Sequence, residues 1–309
     1  MMPNIYQSTL IKPILFKGIG LHSGKISSVK LLPAEAGQGI IFKRTDLKAR
    51  NIIEANYKLV SSATLCTRLK NKFGVSVSTV EHLLAALYIT GVDNVVIEID
   101  SEEVPIMDGS SKEFINLLNE AGKKSYFIKR RYLKVLEKFQ LERNGKLISV
   151  EPNDTLQINF QLNYQNKIIG KQENKINFSN DNLEDIVSSR TFCLYEDIEK
   201  IKDIGLAKGG SLDNALVVSD EKVLNSGGLR NSKEFVNHKI LDLAGDLFLS
   251  GYNILGKINC NGGGHQLTNL FLREFLDNNK QKFEIKEFKS ERIRQISQKN
   301  NSSNLVVNA

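Results

Sequence analysis

The stretch Phe235-Val236-Asn237-His238-Lys239-Ile240-Leu241-Asp242-Leu243-Ala244-Gly245-Asp246-Leu247-Phe248 decides how the rest of the chain is read. At helical period, Val236, Ile240, Leu243, Leu247 and Phe248 form an apolar stripe that needs a core to cover it. His238, Asp242 and Asp246 recur every four residues and fall along a neighbouring stripe. An imidazole and a carboxylate one turn apart can grip one cation together. The third ligand must come from elsewhere, and His82, in Glu81-His82, is the other histidine with an acid beside it. Two histidines and a carboxylate, with a fourth position open to water, make a hydrolytic zinc arrangement. The same spacing has a plainer reading, in which the histidine packs at a core edge and Lys239 and the acids are helix-surface charge.

Around this helix, strands and helices alternate in two rounds. Residues 9–16 read as a strand, followed by a turn with three glycines around His22. That turn either lets the backbone approach a polar ligand closely or is a hairpin turn with an exposed histidine. Strands are expected at 26–33 and 39–44, with a smaller pair at 57–64 and 67–73. Ser78 with Glu81 three residues on fits a capping box, and Leu83, Leu84 and Leu87 supply the apolar face of the helix that follows. Glu81 therefore has two readings, helix cap and functional acid. A strand at 93–99 and a helix at 112–121 complete the first round.

The basic, polar segment 123–131 reads as a linker. Strands then follow at 133–139, 146–151, 155–162 and 172–178, a helix from about 182, helical spacing over 194–204 and a short strand at 215–218. After the organising helix come a strand at 253–260 and a glycine-rich turn that puts His265 at the start of a last helix, 267–276. Beyond 278 the chain is polar and basic and reads as a flexible tail. The pattern predicts an α+β fold. It divides into an N-terminal domain of residues 1–126, a C-terminal domain of 127–279 and a tail of 280–309.

With 309 residues the chain is long enough for two cores. The net charge of +7 suits a phosphorylated ligand, a nucleic acid or an anionic membrane surface. No aromatic-basic recognition motif is present, so no nucleic-acid partner is expected. Cys66, Cys193 and Cys260 are widely spaced and outside any C-x-x-C pair, which indicates a reducing compartment. The N-terminus lacks the pattern of a signal peptide and no window reaches the length of a membrane span. A cytoplasmic monomer with at most peripheral membrane contact is the expectation.

Six motifs in order carry a resemblance. They are Ser78-Thr79-Val80-Glu81-His82-Leu83, Pro105-Ile106-Met107-Asp108-Gly109-Ser110, Ser189-Arg190-Thr191-Phe192, Gly209-Gly210-Ser211-Leu212-Asp213-Asn214-Ala215, His238-Lys239-Ile240-Leu241-Asp242 and Gly264-His265. From Gly18 to about Leu276 the chain resembles the zinc-dependent UDP-3-O-acyl-N-acetylglucosamine deacetylases of lipid A synthesis. Phe192-Cys193, where Phe-Gly is common, and Lys208, where an apolar residue is usual, depart from the pattern.

The resemblance implies two domains of similar fold, each a sheet layer with a helical layer, the helices sandwiched between the sheets and the site in the interdomain cleft. It implies Zn2+ on His82, His238 and Asp242, Glu81 as general base, and His265 supported by Asp246 as acid or electrostatic partner. Thr191 would support the oxyanion, Phe192 would stack on the sugar and Lys239 would face phosphate of the UDP-linked acylated amino sugar. Ile198, Ile201, Gly210 and Ala215 would line a passage for the acyl chain. The alternatives are another zinc or iron hydrolase of an N-acylated sugar, a ferrous oxygenase on the same ligands, and a basic surface binder.

Overall fold

Along the strand Leu156–Asn163, Leu156, Ile158, Phe160 and Leu162 are buried and the residues between them are not, as a sheet with one face on a core requires. Such alternation builds two mixed sheets in the computed structural model, which describes residues 5–288. In the first half a five-stranded sheet runs in the order Ile14–Ile19, Ile26–Pro33, Val95–Ile99, Ile40–Arg44, Ile52–Glu54. In the second half a seven-stranded sheet centres on Asn253–Asn261. That strand pairs in parallel with Tyr132–Val135 and Leu156–Asn163 and antiparallel with Lys146–Pro152.

Six α-helices occur among the described residues: α1 (Glu81–Thr90), α2 (Lys112–Ala121), α3 (Glu184–Val187), α4 (Ile198–Asp203), α5 (Glu234–Phe248) and α6 (His265–Asn278). The chain is α+β, as its pattern predicts. No helix of the described residues is long and apolar enough to cross a membrane.

α1 and α5 position the site. Every residue of α1 from Glu81 to Leu87 is buried, and on α5 every residue but Lys239. Helices covered on all sides belong in an interior. The two pack against each other, and α5 also lies against Leu156–Asn163 and Lys171–Asn177. At Gly245 the contact is backbone to backbone, since a Cβ there would stand 2.1 Å from the Glu81 carbonyl oxygen. This glycine lets Glu81 and His82 come alongside His238 and Asp242.

Three expectations are corrected. Residues 9–16 belong to two strands, Tyr6–Leu10 and Ile14–Ile19, in different sheets. Tyr6–Leu10 pairs antiparallel with Lys123–Lys129, so most of the presumed linker is a strand. Its polarity is that of a narrow two-stranded ribbon, solvated enough to leave Phe127 99 % exposed. The presumed tail also has structure near its start. Phe283–Lys286 pairs antiparallel with Tyr132–Val135, and the Phe283 ring lies 5.2 Å from that of Phe275. The tail from residue 289 onward lies outside the described residues.

Candidate metal centre

The chain enters α1 through a strained turn. Thr79 has φ +57°, a left-handed conformation unfavourable for a β-branched residue, and its hydroxyl donates to buried Glu103 Oε1 at 2.8 Å. Ser78 donates to the Glu102 carbonyl at 3.1 Å, and α1 has Val80 as its N-cap with no side-chain cap bond. The capping box expected of Ser78 and Glu81 is therefore not formed. Glu81 instead turns inward, where Oε2 accepts the Thr67 backbone N–H at 3.1 Å.

His82, His238 and Asp242 converge with their ligand atoms within 4.8 Å of one another. Asp242 Oδ1 lies 3.3 Å from Nε2 of both histidines. The His238 Nδ1–H donates to the Ser189 carbonyl at 3.0 Å, which turns Nε2 toward the centre, as second partners of metal-binding histidines do. Asp242 Oδ2 accepts Lys239 Nζ at 2.9 Å, while Oδ1 is buried with no hydrogen-bond partner. An anionic oxygen left bare between two imidazole nitrogens is costly unless a cation completes it, so the donor set fits a metal ion. Burial pushes His238 down to about 3, against the pull of Asp242. Burial opposes ionisation of Asp242, yet His238 and Lys239 hold it well below the usual carboxylate range. Both states are those a metal needs, a neutral imidazole and a carboxylate.

Beside the triad stands an acid-base pair. His265, at the first turn of α6, donates from Nδ1 to Asp246 Oδ2 at 2.6 Å, and its Nε2 lies 3.7 Å from Glu81 Oε1. Burial works against its charge, but Asp246 and Glu81 outweigh it and raise His265 to about 10. Burial also pushes the Glu81 carboxyl up, opposed by His265 and His82. Thr67 joins the two acids, with its N–H on Glu81 and its hydroxyl on Asp246 Oδ1 at 2.6 Å. Nothing in the sequence around Cys66 marks Thr67 for this place.

A cavity of about 620 Å³ opens over these groups, with Thr191, Phe192, Lys239 and Tyr164 in its wall. Phe192 stands edge-on to Phe235 at 5.0 Å and to Tyr164 at 5.8 Å, with Lys239 Nζ 5.4 Å from its ring centre. Arg143 and Lys146, on either side of a tight Asn144-Gly145 turn, line the same cavity. Their signal in the sequence is a turn dipeptide between two strands flanked by cations, which lies outside the six motifs. A second cavity of about 350 Å³ adjoins the first and is lined by Ile198, Ile201, Gly210, Ala215 and Cys193 among others. Of the residues nominated from sequence, Glu81, His82, Thr191, Phe192, His238, Lys239, Asp242 and His265 line the first cavity and Ile198, Ile201, Gly210 and Ala215 the second, while Asp246 lines neither and stands behind His265.

His22 lies in the wall between the cavities and is 6 % exposed, not the exposed turn histidine of the plainer reading. The close approach that its glycine-rich turn permits is to a side chain. Glu103 accepts the backbone N–H groups of His22 and Ser23 at 2.9 and 2.7 Å.

Comparison with known proteins shows the family of the chain. Residues 7–277 match the family model described as UDP-3-O-acyl N-acetylglycosamine deacetylase. The chain is 42% identical over 275 residues to the UDP-3-O-acyl-N-acetylglucosamine deacetylase of Pseudoalteromonas translucida, covering 88% of this chain and 91% of that protein. The protein of the same name from Mannheimia succiniciproducens is 43% identical over 282 residues, with 89% and 91% covered. That from Shewanella violacea is 38% identical over 296 residues, with 95% and 96% covered.

Proposed function

The chain belongs to the UDP-3-O-acyl-N-acetylglucosamine deacetylase family, and from that premise we propose that it hydrolyses the N-acetyl amide of a UDP-3-O-(3-hydroxyacyl)-N-acetylglucosamine, releasing acetate, in lipid A biosynthesis. His82, His238 and Asp242 would hold zinc in this reading, which when bound would supply the Lewis acidity that brings the pKa of a water to roughly 7. Glu81 takes the water's proton, a role typically worth about 10²- to 10⁴-fold in rate. Protonated His265, held by Asp246, and Thr191 face the developing oxyanion. A proton from His265 or from Glu81 releases the amine. Lys239 faces substrate phosphate, Phe192 lies against the sugar, and the cavity bounded by Ile198, Ile201, Gly210 and Ala215 takes the acyl chain.

This reading treats the chain as two domains, one carrying Glu81 and His82 and the other His238, Asp242 and His265, with helices sandwiched between the two sheets. It takes the chain as a cytoplasmic monomer, in keeping for the compartment with three free cysteines.

The observation that carries the reading is the bare Asp242 Oδ1, 3.3 Å from two imidazole nitrogens with Glu81 and His265 at its side. The experiment is acetate release from the acylated UDP-sugar, with metal analysis of the same sample before and after chelation. Bound zinc and activity lost together on chelation is the expected outcome. Full turnover by metal-free protein, or bound metal without deacetylation, refutes it. Two histidines and a carboxylate also admit ferrous iron, and the same metal analysis decides between the two ions.

A further inference from the structure

The two histidines of the metal centre come from opposite halves of the chain, so the halves must be held at ligand separation. Residues 108–111 of the first half are pressed onto the second. The Gly109 carbonyl accepts the Thr191 N–H at 2.8 Å, and the Ser111 N–H donates to the Val187 carbonyl at 3.1 Å. Gly109 has φ +86°, and a Cβ there would stand 2.2 Å from the Asn214 carbonyl oxygen. From this loop the Ser111 hydroxyl donates to the His82 carbonyl at 2.8 Å.

Arg230 meets the loop from the other side. Its Nη1 donates to Asp108 Oδ2 at 2.8 Å and to the Ser188 carbonyl at 2.9 Å. Its backbone N–H donates to Glu234 Oε2 at 2.6 Å. Glu234 is fully buried and also accepts the Arg190 N–H and Nε at 3.1 and 2.8 Å. Between Ser188 and Arg190 sits the Ser189 carbonyl that orients His238. One arginine therefore stands where the segment anchoring one histidine meets the segment aiming the other.

We propose that Asp108 and Arg230 are positioning residues whose contact clasps the two halves of the chain so that His82 and His238 stand at metal-binding separation before the ion arrives. The inference rests on the metal reading above. As an ion pair with side chains 18% and 34% exposed, the contact contributes little to folding by itself. Its effect is on the grip of the site, since groups that orient ligands typically change metal affinity by about 10- to 100-fold.

The test loads metal-free wild type, Asp108→Asn, Arg230→Gln and the double variant with zinc against a chelating competitor, and records the melting temperature of each metal-free protein. Each single variant should bind zinc about tenfold more weakly, with a metal-free melting temperature near wild type. The double variant should be no weaker than Arg230→Gln alone, because the contact with Asp108 is already broken there. Arg230→Lys, which keeps a cation, should recover part of the loss. Wild-type affinity in both singles overturns the clasp, as do additive losses in the double or losses that merely track metal-free stability. Failure of wild type itself to bind zinc overturns the metal reading instead.

Discussion

The metal cavity and the apolar cavity share a wall of Leu21, His22, Leu65, Thr191 and Phe192, yet they are built differently. The candidate metal ligands and Glu81 ride on two helices sealed in the core, where Glu81, His238 and Asp242 are each tied by a hydrogen bond to a neighbour. The apolar cavity is closed by α4, six residues with none buried, and by the three-residue strands Phe192–Leu194 and Leu216–Val218. Bond-making groups need placement to a fraction of an ångström. A hydrocarbon chain needs only apolar area and tolerates adjustment. The difference in construction suits the different tasks proposed for the two.

The sharpest break between the two regions is removal of a ligand. Asp242→Ala should lose both bound zinc and acetate release, because the anionic donor shared by both histidines is gone. Ile201→Ala, in the apolar wall, should keep its full complement of metal. Elemental analysis and turnover of the two variants make the comparison, and an Asp242→Ala protein that retains zinc would remove Asp242 from the centre.

Next in size is Glu81→Gln. The amide oxygen of glutamine can still accept the Thr67 N–H, so the fold of the site survives, but it cannot take a proton at neutral pH. We expect kcat to fall by about 10²-fold or more with zinc content and melting temperature near wild type. Near-normal turnover would end the assignment of Glu81 as base.

On the apolar side the response should be graded. Each methylene buried contributes about 0.8 kcal/mol, so shortening the acyl chain by two methylenes should lower kcat/KM by roughly tenfold. Equal kcat/KM for long and short chains would detach that cavity from the lipid.

The metal region was the more legible in sequence, because His238 and Asp242 lie one turn apart and Glu81-His82 opens a helix. The misreadings arose where tertiary contacts outbid local ones. Ser78 looked like a cap, but its hydroxyl is taken by the Glu102 carbonyl and Thr79 is bent into a left-handed turn. Thr67 was invisible because its role depends on two acids 14 and 179 residues away. The ribbon strand Lys123–Lys129 carries too little buried surface to show alternation. Phe283-Glu284-Ile285-Lys286 does alternate, and its basic surroundings hid it.

The smallest effect is on stability, and it separates the charged site from the apolar one by pH. His265 is raised to about 10 from its ordinary 6.5, because Asp246 and Glu81 outweigh the burial that disfavours its charge. Below pH 6.5 folded and unfolded chains both hold this proton, and its stabilising contribution is fully present. Between pH 6.5 and 10 the unfolded chain has lost the proton while the folded protein keeps it. Metal-free protein must therefore lose stability as pH rises through that window. His238 has the opposite sign, since burial takes it down to about 3. Its contribution is present above pH 6.5 and is lost as pH falls toward 3, so it leaves the alkaline window clear. Between pH 7 and 9.5, metal-free wild type should fall in melting temperature by several degrees more than His265→Asn, at about 2 °C per kcal/mol for a chain of more than 250 residues. Ile201→Ala should run parallel to wild type, because it touches none of these charges. If wild type and His265→Asn run parallel instead, His265 does not carry that proton, and the charged partner assigned to the oxyanion must be sought elsewhere in the site.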